Sequence, residues 1–517
     1  GIVGTHNENR QPWAAFVPAG LILALAGYGW LQTIEGSIAI ISMLSPASAA
    51  AYRDWAGLLL ASDGPMACSI SIAPFDSLHV ISVLAVLSGL AVAAPIVFWD
   101  RSRCRCLLIA MAVFGTSVAL IGLGRLLNSD WMLWSFQEGG EGAPFGTFPN
   151  RNNAAFGMNL GIAGALATAV WHFGAHGYPL SMAKASWSLL KDPWILIPAI
   201  SMTLIAVAIL SCGSRGGAIS MVVAAGVTGA VVARPSVRSV AWFSAVIVLA
   251  ASVYLVTQTQ PRIGEAARVD AKSAAMDALE RAQGDARLLN WPDGFRAGVR
   301  HLPMGSGLAS YGYAYLPWQE TSPWRWCVHA DNLWLEAFVE LGLPGCLMIG
   351  LAAAASIISL RRLASSSDPL DRAFALAGTY VMATIAVSQC FDFGLIIPAN
   401  LFSTTVFFSV MVARGAVIER ERPSRTKLVL QNAATAWWAS PIFLRFRLPG
   451  IASILVTLIV SVPAIRFLKN DSLADTYARS IPVWLKRFRG NDRMLTERAD
   501  AVRSLATRHP QPDFIAA

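Results

Sequence analysis

Apolar runs of about 20 residues are the feature that most limits what this chain can fold into, because a run of that length spans a bilayer as a helix. Inside the bilayer every backbone N–H and C=O must find a partner within the protein, which selects helices over open strands. The sequence therefore predicts an all-α integral membrane protein with about 11 transmembrane helices. The predicted spans lie near 13–33, 77–98, 107–126, 153–173, 193–211, 216–233, 239–258, 334–360, 373–394, 397–413 and 449–467.

The composition agrees with a membrane protein and excludes most soluble classes. Of 517 residues, 55% are hydrophobic and 14% are charged, whereas soluble globular domains carry about 25% charged residues. Seven cysteines are too few, and odd in number, for a disulfide scaffold. The net charge of +9 does not indicate a nucleic-acid partner, because the basic residues gather in short loops between the apolar runs.

The distribution of Lys and Arg predicts which side of the membrane each loop faces. With the N-terminus inside, seventeen basic residues fall in the short inside loops and four in the short outside segments, as the positive-inside rule requires. The inside residues are Arg101, Arg103, Arg105, Lys184, Lys191, Arg234, Arg238, Arg361, Arg362, Arg372, Arg414, Arg420, Arg422, Arg425, Lys427, Arg445 and Arg447. The outside residues are Arg53, Arg125, Arg151 and Arg215.

This orientation divides the chain into four parts. Residues 1–258 carry the first seven spans, residues 259–333 form a large outside loop, residues 334–467 carry the last four spans, and residues 468–517 form a short helical tail. The same alternation predicts that the tail also lies outside.

Four segments rich in polar residues and glycine fall on the predicted outer side, where they can contribute to one site. They are 146–153, 211–217, 285–308 and 329–345. Within the second segment, Arg215 lies where two apolar runs meet with almost no loop between them. An Arg at that place is costly unless it is paired or faces a wet cavity.

The neighbours of Arg215 make it a candidate for binding a phosphate group. Gly216 and Gly217 permit the close approach of a large anion, and a guanidinium group binds phosphate through two hydrogen bonds. The alternative is that Arg215 extends to the outer head groups. Arg151 has two interpretations of equal weight: it binds the same phosphate group, or it anchors the span that it precedes. Arg287 lies in a helical, charge-mixed stretch, 259–300, most of whose charges are expected to face solvent.

His329 and Asp331 are the candidates for acid–base chemistry. Of seven histidines, only His301 and His329 lie in the outer loops that can form a site. A His with a pKa near neutrality can take the proton of a hydroxyl group. The alternative is a helix N-terminus capped by Asp331, with Asn332 beside it.

Other features point to a site without metal or cofactor. No His and carboxylate cluster has the spacing of metal ligands, and no GxxxxGK[ST] loop is present. Aromatic residues between the motifs, such as Tyr311 and Trp326, suit stacking on sugar rings or an interfacial belt. Cys68 and Cys327 lie where an oxidising compartment would permit a disulfide.

Taken together, the motifs resemble those of the O-antigen ligase and polymerase superfamily. They are Gly-Thr-Phe-x-Asn-x-Asn at 146–152, Ser-Arg-Gly-Gly at 214–217, and Asp-Asn-Leu-Trp-Leu-Glu through Glu-Leu-Gly-Leu-Pro-Gly at 331–345. The resemblance spans residues 10–415, with its core at 150–350. It implies a GT-C-like fold and a metal-independent, inverting glycosyltransferase in the bacterial cytoplasmic (inner) membrane, with its active site facing the periplasm.

The resemblance also implies substrates and residue roles. A glycan would pass from an undecaprenyl-pyrophosphate carrier to a saccharide, to lipid A core or to a protein hydroxyl, and membrane lipids would surround the enzyme. The implied substrate-binding residues are Arg215, Arg287, Arg151, Asn150, Asn152, Tyr311 and Trp326, and the implied catalytic residues are His329 and Asp331.

One position departs from the family pattern. The family usually has His directly before the Asn, whereas here Asp331 holds that place and His329 lies two residues upstream. Either His329 is the base, or the Asp331 carboxylate is, or the chain carries out a variant reaction. Two further hypotheses are a transporter or flippase of lipid-linked glycan and a non-catalytic component of a polysaccharide assembly complex. The near absence of charge in the spans counts against a transporter.

Overall fold

The computed structural model describes residues 13–59, 67–127, 144–176, 192–232, 286–320 and 327–421, and these are almost entirely helical. The helices are α1 (Val17–Gln32), α2 (Ile38–Leu44), α3 (Pro46–Leu59), α4 (Pro74–Val97), α5 (Arg101–Leu127), α6 (Arg151–Ala175), α7 (Pro193–Ser211), α8 (Arg215–Val232), α9 (Ala286–Arg300), α10 (Tyr311–Ala314), α11 (Leu333–Ala364), α12 (Pro369–Ser388) and α13 (Pro398–Glu421). Two short strands, β1 (Gly36–Ser37) and β2 (Ala67–Cys68), pair in antiparallel fashion.

Eight of the described helices are long and apolar enough to cross a membrane, and α8 is a shorter apolar helix. These nine helices match nine of the eleven predicted spans, so the prediction of an all-α, multi-pass membrane protein agrees with the structure. The predicted spans near 239–258 and 449–467, and the predicted tail, lie outside the described residues.

Capping residues and prolines set where several of these helices begin. Asn150, Asp192 and Asp368 each accept a hydrogen bond from a backbone N–H of the first helical turn that follows them. Pro193 and Pro369 occupy first-turn positions, where the missing N–H has no intrahelical partner to lose. The helix starts are therefore specified locally.

Helix α6 forms the centre of the bundle. Within its most apolar stretch 83% of the residues are buried, against 17% for α11, whose second half exposes apolar side chains as a lipid-facing helix does. The crossing of α5 and α6 depends on Gly115 and Gly161, because a Cβ on Gly115 would lie 3.1 Å from the Gly161 backbone nitrogen. Small residues at such a crossing let the two helix backbones approach closely.

An ion-pair network marks one end of the bundle, where α5, α7 and α12 begin and where α6 and α13 end. Arg414 binds the Asp371 carboxylate, and Arg101 lies 2.6 Å from Asp368. His172 lies 2.6 Å from the Asp192 carboxylate at the same end. This end carries the loops that are predicted to face inside, so the opposite end holds the predicted outer segments.

A break in α11 is filled by a loop from elsewhere in the chain. Gly342 has φ 58° and ψ −152°, and Pro344 has no N–H to donate. The break leaves the carbonyls of Val339 and Glu340 without partners in the helix. They accept hydrogen bonds from the backbone N–H groups of Ser306 (2.9 Å) and Gly307 (2.9 Å). The Gly-Ser-Gly segment and the Gly-Leu-Pro-Gly segment are therefore packing partners that hold the first ten residues of α11 at a fixed angle.

Replacing Gly342 with alanine should destabilise the protein by about 2–4 kcal/mol, since the backbone conformation favours glycine and a Cβ would collide with the Pro303 carbonyl. Thermal unfolding of the full chain in detergent would show this loss as a lower midpoint. Gly350 in the same helix is the matched control, because a Cβ there meets nothing within 4 Å. An equal drop for Gly350→Ala would contradict the explanation.

Candidate functional site

The end opposite the ion-pair network brings two of the predicted outer segments together. The turn between α7 and α8 contains Gly213 with φ +71°, and a Cβ there would lie 3.2 Å from Nη1 of Arg151. Arg151 is the first residue of α6, and Asn150 before it accepts a hydrogen bond from the Asn152 N–H (2.8 Å). Asn150 therefore caps α6, and its role in substrate binding stays a prediction.

Arg215 is the first residue of α8, and it is exposed, as is Arg151. The two glycines that follow it pack the start of α8 tightly against its neighbours. A Cβ on Gly217 would collide with Ala155 of α6, and the Gly217 N–H donates to Oγ of Ser214 (3.1 Å). Gly217 therefore serves helix packing, while the Arg215 guanidinium stays accessible beside the positive end of a helix, where anions bind favourably.

His329 lies at the entry to α11 and pairs with a carboxylate. Its Nδ1 lies 3.2 Å from Oε2 of Glu336, and Oε1 of Glu336 accepts a hydrogen bond from the Ala330 N–H (2.7 Å). Because an ionised carboxylate only accepts, this pairing assigns the proton to Nδ1 and leaves Nε2 as the basic atom. In the described part of the chain, Nε2 has no hydrogen-bond partner.

The imidazole of His329 is held from two directions. Its ring stacks on Phe393, with 4.3 Å between the ring centroids. Burial alone would lower the pKa of His329, but the hydrogen bond and the charge of Glu336 outweigh it, with smaller contributions from Glu340 and Asp331. The pKa of His329 is therefore raised above its ordinary value of 6.5.

Glu336 is a site residue that the sequence analysis missed. It is only 4% exposed although it carries a carboxylate. A buried carboxylate in the first turn of an apolar helix needs partners, and the His seven residues upstream supplies one of them. The burial could not be read from the sequence, but an acidic residue in an otherwise apolar first turn was the available signal.

Asp331 does not cap α11, which was the alternative interpretation of this residue. Asn332 is the cap of α11, because its side chain accepts a hydrogen bond from the Leu335 N–H (3.1 Å). Asp331 has φ +51°, a left-handed conformation that Asp tolerates better than most residues. Its carboxylate is close enough to influence His329 and is partly exposed.

Tyr311 lies in the protein core. Its side chain is 1% exposed and stacks on Tyr315 with 5.2 Å between ring centroids. Its backbone N–H donates to Oε1 of Glu340 (3.0 Å), and burial raises the pKa of its phenol. In this structure Tyr311 therefore supports the second carboxylate of α11, and its ring presents no surface to a glycan.

The segment between α12 and α13 connects the Arg215 turn to His329. A Cβ on Gly216 would lie 3.3 Å from Cβ of Phe391, whose ring lies 6.3 Å from that of Trp291. Nε1 of Trp291 donates to the Ala330 carbonyl (3.1 Å), next to His329. The start of α8, helix α9 and the entry to α11 therefore form one contiguous region.

The remaining site predictions have separate outcomes. Arg287 lies in the first turn of α9, one helical turn before Trp291, and Trp326 lies outside the described residues. His301 is buried at the end of α9, and burial lowers its pKa. The proposed disulfide is not formed, because Cys68 and Cys327 are both free and Cys327 accepts a hydrogen bond from Asn290 (3.3 Å). Within the described ranges no cluster of three His, Cys, Asp or Glu side chains is placed to hold a metal ion.

Comparison with known proteins finds a family whose sequence model matches this region. No curated protein sequence matches the chain. Residues 200–350 match the sequence model of the family described as O-antigen ligase, and this range includes Arg215, α9, His329 and Glu336. The match supports a glycosyltransferase-like role in the assembly of polysaccharides by a multi-pass membrane protein. It confirms the predicted resemblance to the O-antigen ligase and polymerase superfamily for this part of the chain.

Proposed function

We propose that this protein transfers a glycan from an undecaprenyl-pyrophosphate carrier to a hydroxyl acceptor at the outer face of the cytoplasmic membrane. The observation that carries the proposal is the His329–Glu336 pair, which lies in the same region as Arg215 and within the matched domain. A base and an exposed arginine in one region supply the two functions that displacement of a pyrophosphate from a sugar requires.

Arg215 would bind the pyrophosphate of the donor. It is exposed at the first position of α8, so its guanidinium and the free N–H groups of the first helical turn favour a negatively charged group. Arg151 lies against the same turn and adds a second positive charge. Arg287 is also assigned to the pyrophosphate, because it lies in the first turn of α9. Charge that develops on the leaving pyrophosphate would be stabilised by these side chains.

His329 would activate the acceptor. As the anomeric C–O bond to the pyrophosphate breaks, the acceptor oxygen forms the new bond to the anomeric carbon, and its proton passes to Nε2 of His329. Oε2 of Glu336 accepts the hydrogen bond from the Nδ1–H group and stabilises the imidazolium that results. Attack from the face opposite the leaving group inverts the anomeric configuration. No step assigned to these residues requires a metal ion.

The pH dependence of transfer tests the pairing of His329 with Glu336. Only the neutral imidazole is a base, so the rate should rise with pH through an apparent pKa above 6.5. Glu336→Gln removes the charge that stabilises the imidazolium, so this limb should move to lower pH. The rate of transfer on the high-pH plateau should also fall about tenfold. This loss is part of the 10²–10⁴-fold acceleration that acid–base catalysis contributes. Initial rates across a pH series measure both effects, and a limb at unchanged pH in Glu336→Gln would rule out the pairing.

A deletion strain whose surface glycans are resolved by size on a gel tests the proposed function and separates two acceptors. Loss of long chains, with single repeat units still attached to lipid A, indicates a polymerase. Loss of every attached form, with polymer accumulating on undecaprenyl pyrophosphate, indicates a ligase. A glycan profile identical to that of the parent strain would contradict both assignments.

A further inference from the structure

Helix α2 has an apolar face that the protein leaves uncovered. Ile40, Met43 and Leu44 are all exposed, and the Met43 side chain is 86% exposed. These positions are spaced three and four residues apart, so they lie on one side of the helix. Ile34, just before β1, is exposed as well.

The opposite face of α2 is packed into the protein. Ile41 is buried in a cluster with Ala49, Cys68 and Ile70, and Ile38 packs against the same cluster. The Ser37 side chain caps the helix by accepting a hydrogen bond from the Ile40 N–H (3.4 Å). Helix α2 is therefore apolar on both faces and fixed in orientation, with the side chains of its second apolar face held outward.

Several contacts hold α2 at the level of the last turn of α1. The carbonyl of Gln32, the last residue of α1, accepts a hydrogen bond from the Ser71 N–H (2.7 Å). Met304 packs on the Ile41 cluster, and its carbonyl accepts a hydrogen bond from Nε2 of Gln32 (2.7 Å). Because α1 is a membrane span, its last turn lies at the boundary between hydrocarbon and head groups.

The chain around α2 has the composition of that boundary. Trp30 and Leu31 in the last turn of α1 are exposed and continue along the chain into Ile34 and the exposed face of α2. The polar groups lie next to this face, since Glu35 is exposed and Arg53 donates to Oγ of Ser42 (2.8 Å). Aromatic and aliphatic side chains on one side with charged groups beside them are typical of a helix in the membrane interface.

We propose that α2 is an interfacial helix whose exposed face, formed by Ile40, Met43 and Leu44, inserts into the phospholipid head-group layer on the side of the membrane that holds His329. The inserted helix anchors the paired strands β1 and β2 to the lipid surface. The chain just after β2 also binds the loop that fills the break in α11, because the Ile72 N–H donates to the Ser306 carbonyl (2.9 Å). The proposal does not depend on the reaction that the protein catalyses.

Spin labels on the full chain in phospholipid vesicles test the proposal. Azido-phenylalanine is introduced at Met43, and in a separate protein at exposed Asp54 of α3, and each is coupled to a nitroxide, which avoids the seven native cysteines. Collision rates with oxygen and with a water-soluble nickel complex then report the depth of each label. We expect the label at 43 to lie about 5–10 Å below the head-group surface and the label at 54 to contact water.

Two results would overturn the proposal. The first is a label at 43 that collides with the nickel complex as often as the label at 54 does. The second is a label at 43 that is shielded from both reagents at a high protein-to-lipid ratio and becomes accessible to nickel at a low ratio. That behaviour would identify the face as a contact between two copies of the chain.

Discussion

Replacing His329 with alanine should lower the rate of glycan transfer by about 10²–10⁴-fold, the usual contribution of a positioned general base. The loss should appear in the rate at saturating acceptor, because His329 is proposed to take a proton in the transition state. Transfer by the purified full chain, measured with lipid-linked donor and followed by gel, gives this rate. His79→Ala in α4 is a matched control, since His79 is exposed and lies outside the proposed site.

The same experiment decides between His329 and Asp331 as the base. If His329 is the base, Asp331→Asn should have a smaller effect, because Asp331 acts only through its charge on the imidazole. If His329→Ala has no effect while Asp331→Asn abolishes transfer, the base is the carboxylate and the assignment made here is wrong. Retained near-wild-type activity in both variants would remove the whole acid–base assignment.

Arg215→Ala should lower transfer by about 10²–10³-fold, the loss found when a group that stabilises developing charge is removed. Arg215→Lys should restore only part of this, because an ammonium group cannot make the paired hydrogen bonds of a guanidinium to phosphate. Since Arg215 is exposed, thermal unfolding of both variants should match wild type.

Arg53 provides the control for the effect of charge alone. It is exposed, lies on the predicted outer side as Arg215 does, and is bonded to Ser42 away from the site. Arg53→Ala should therefore leave transfer unchanged. An equal loss in Arg53→Ala and Arg215→Ala would show that the general positive charge of the outer surface matters, and that Arg215 has no specific contact with pyrophosphate.

The parts of the fold that the sequence predicts are those with a local cause. Apolar runs place nine of the spans, and capping residues such as Asn150 and Asp368 mark helix starts. The break at Gly342 and its partner segment at 305–307 were recognisable only as glycine-rich motifs. Their pairing joins residues that are more than thirty positions apart, so no local pattern reveals it.

The candidate site follows the same division. Arg215 is conspicuous in the sequence because a charge between two apolar runs is costly unless it is paired or faces water. His329 is conspicuous because it is one of only two histidines in the predicted outer loops. Glu336 was missed because its burial cannot be read from the sequence, and Phe393 was missed because its contact with His329 joins distant parts of the chain. Tyr311 was assigned to substrate from its residue type, whereas the structure places its ring in the core.

The most direct test of the proposed function is transfer by the purified full chain in vesicles. The vesicles would contain undecaprenyl-pyrophosphate-linked glycan and an acceptor extract from the deletion strain, with a metal chelator present. We expect wild-type protein to release undecaprenyl pyrophosphate in step with formation of a larger glycan product, and His329→Ala to do neither. Release and product formation that are equal in wild type and His329→Ala, or absent from wild type with every acceptor fraction, would contradict the proposed function.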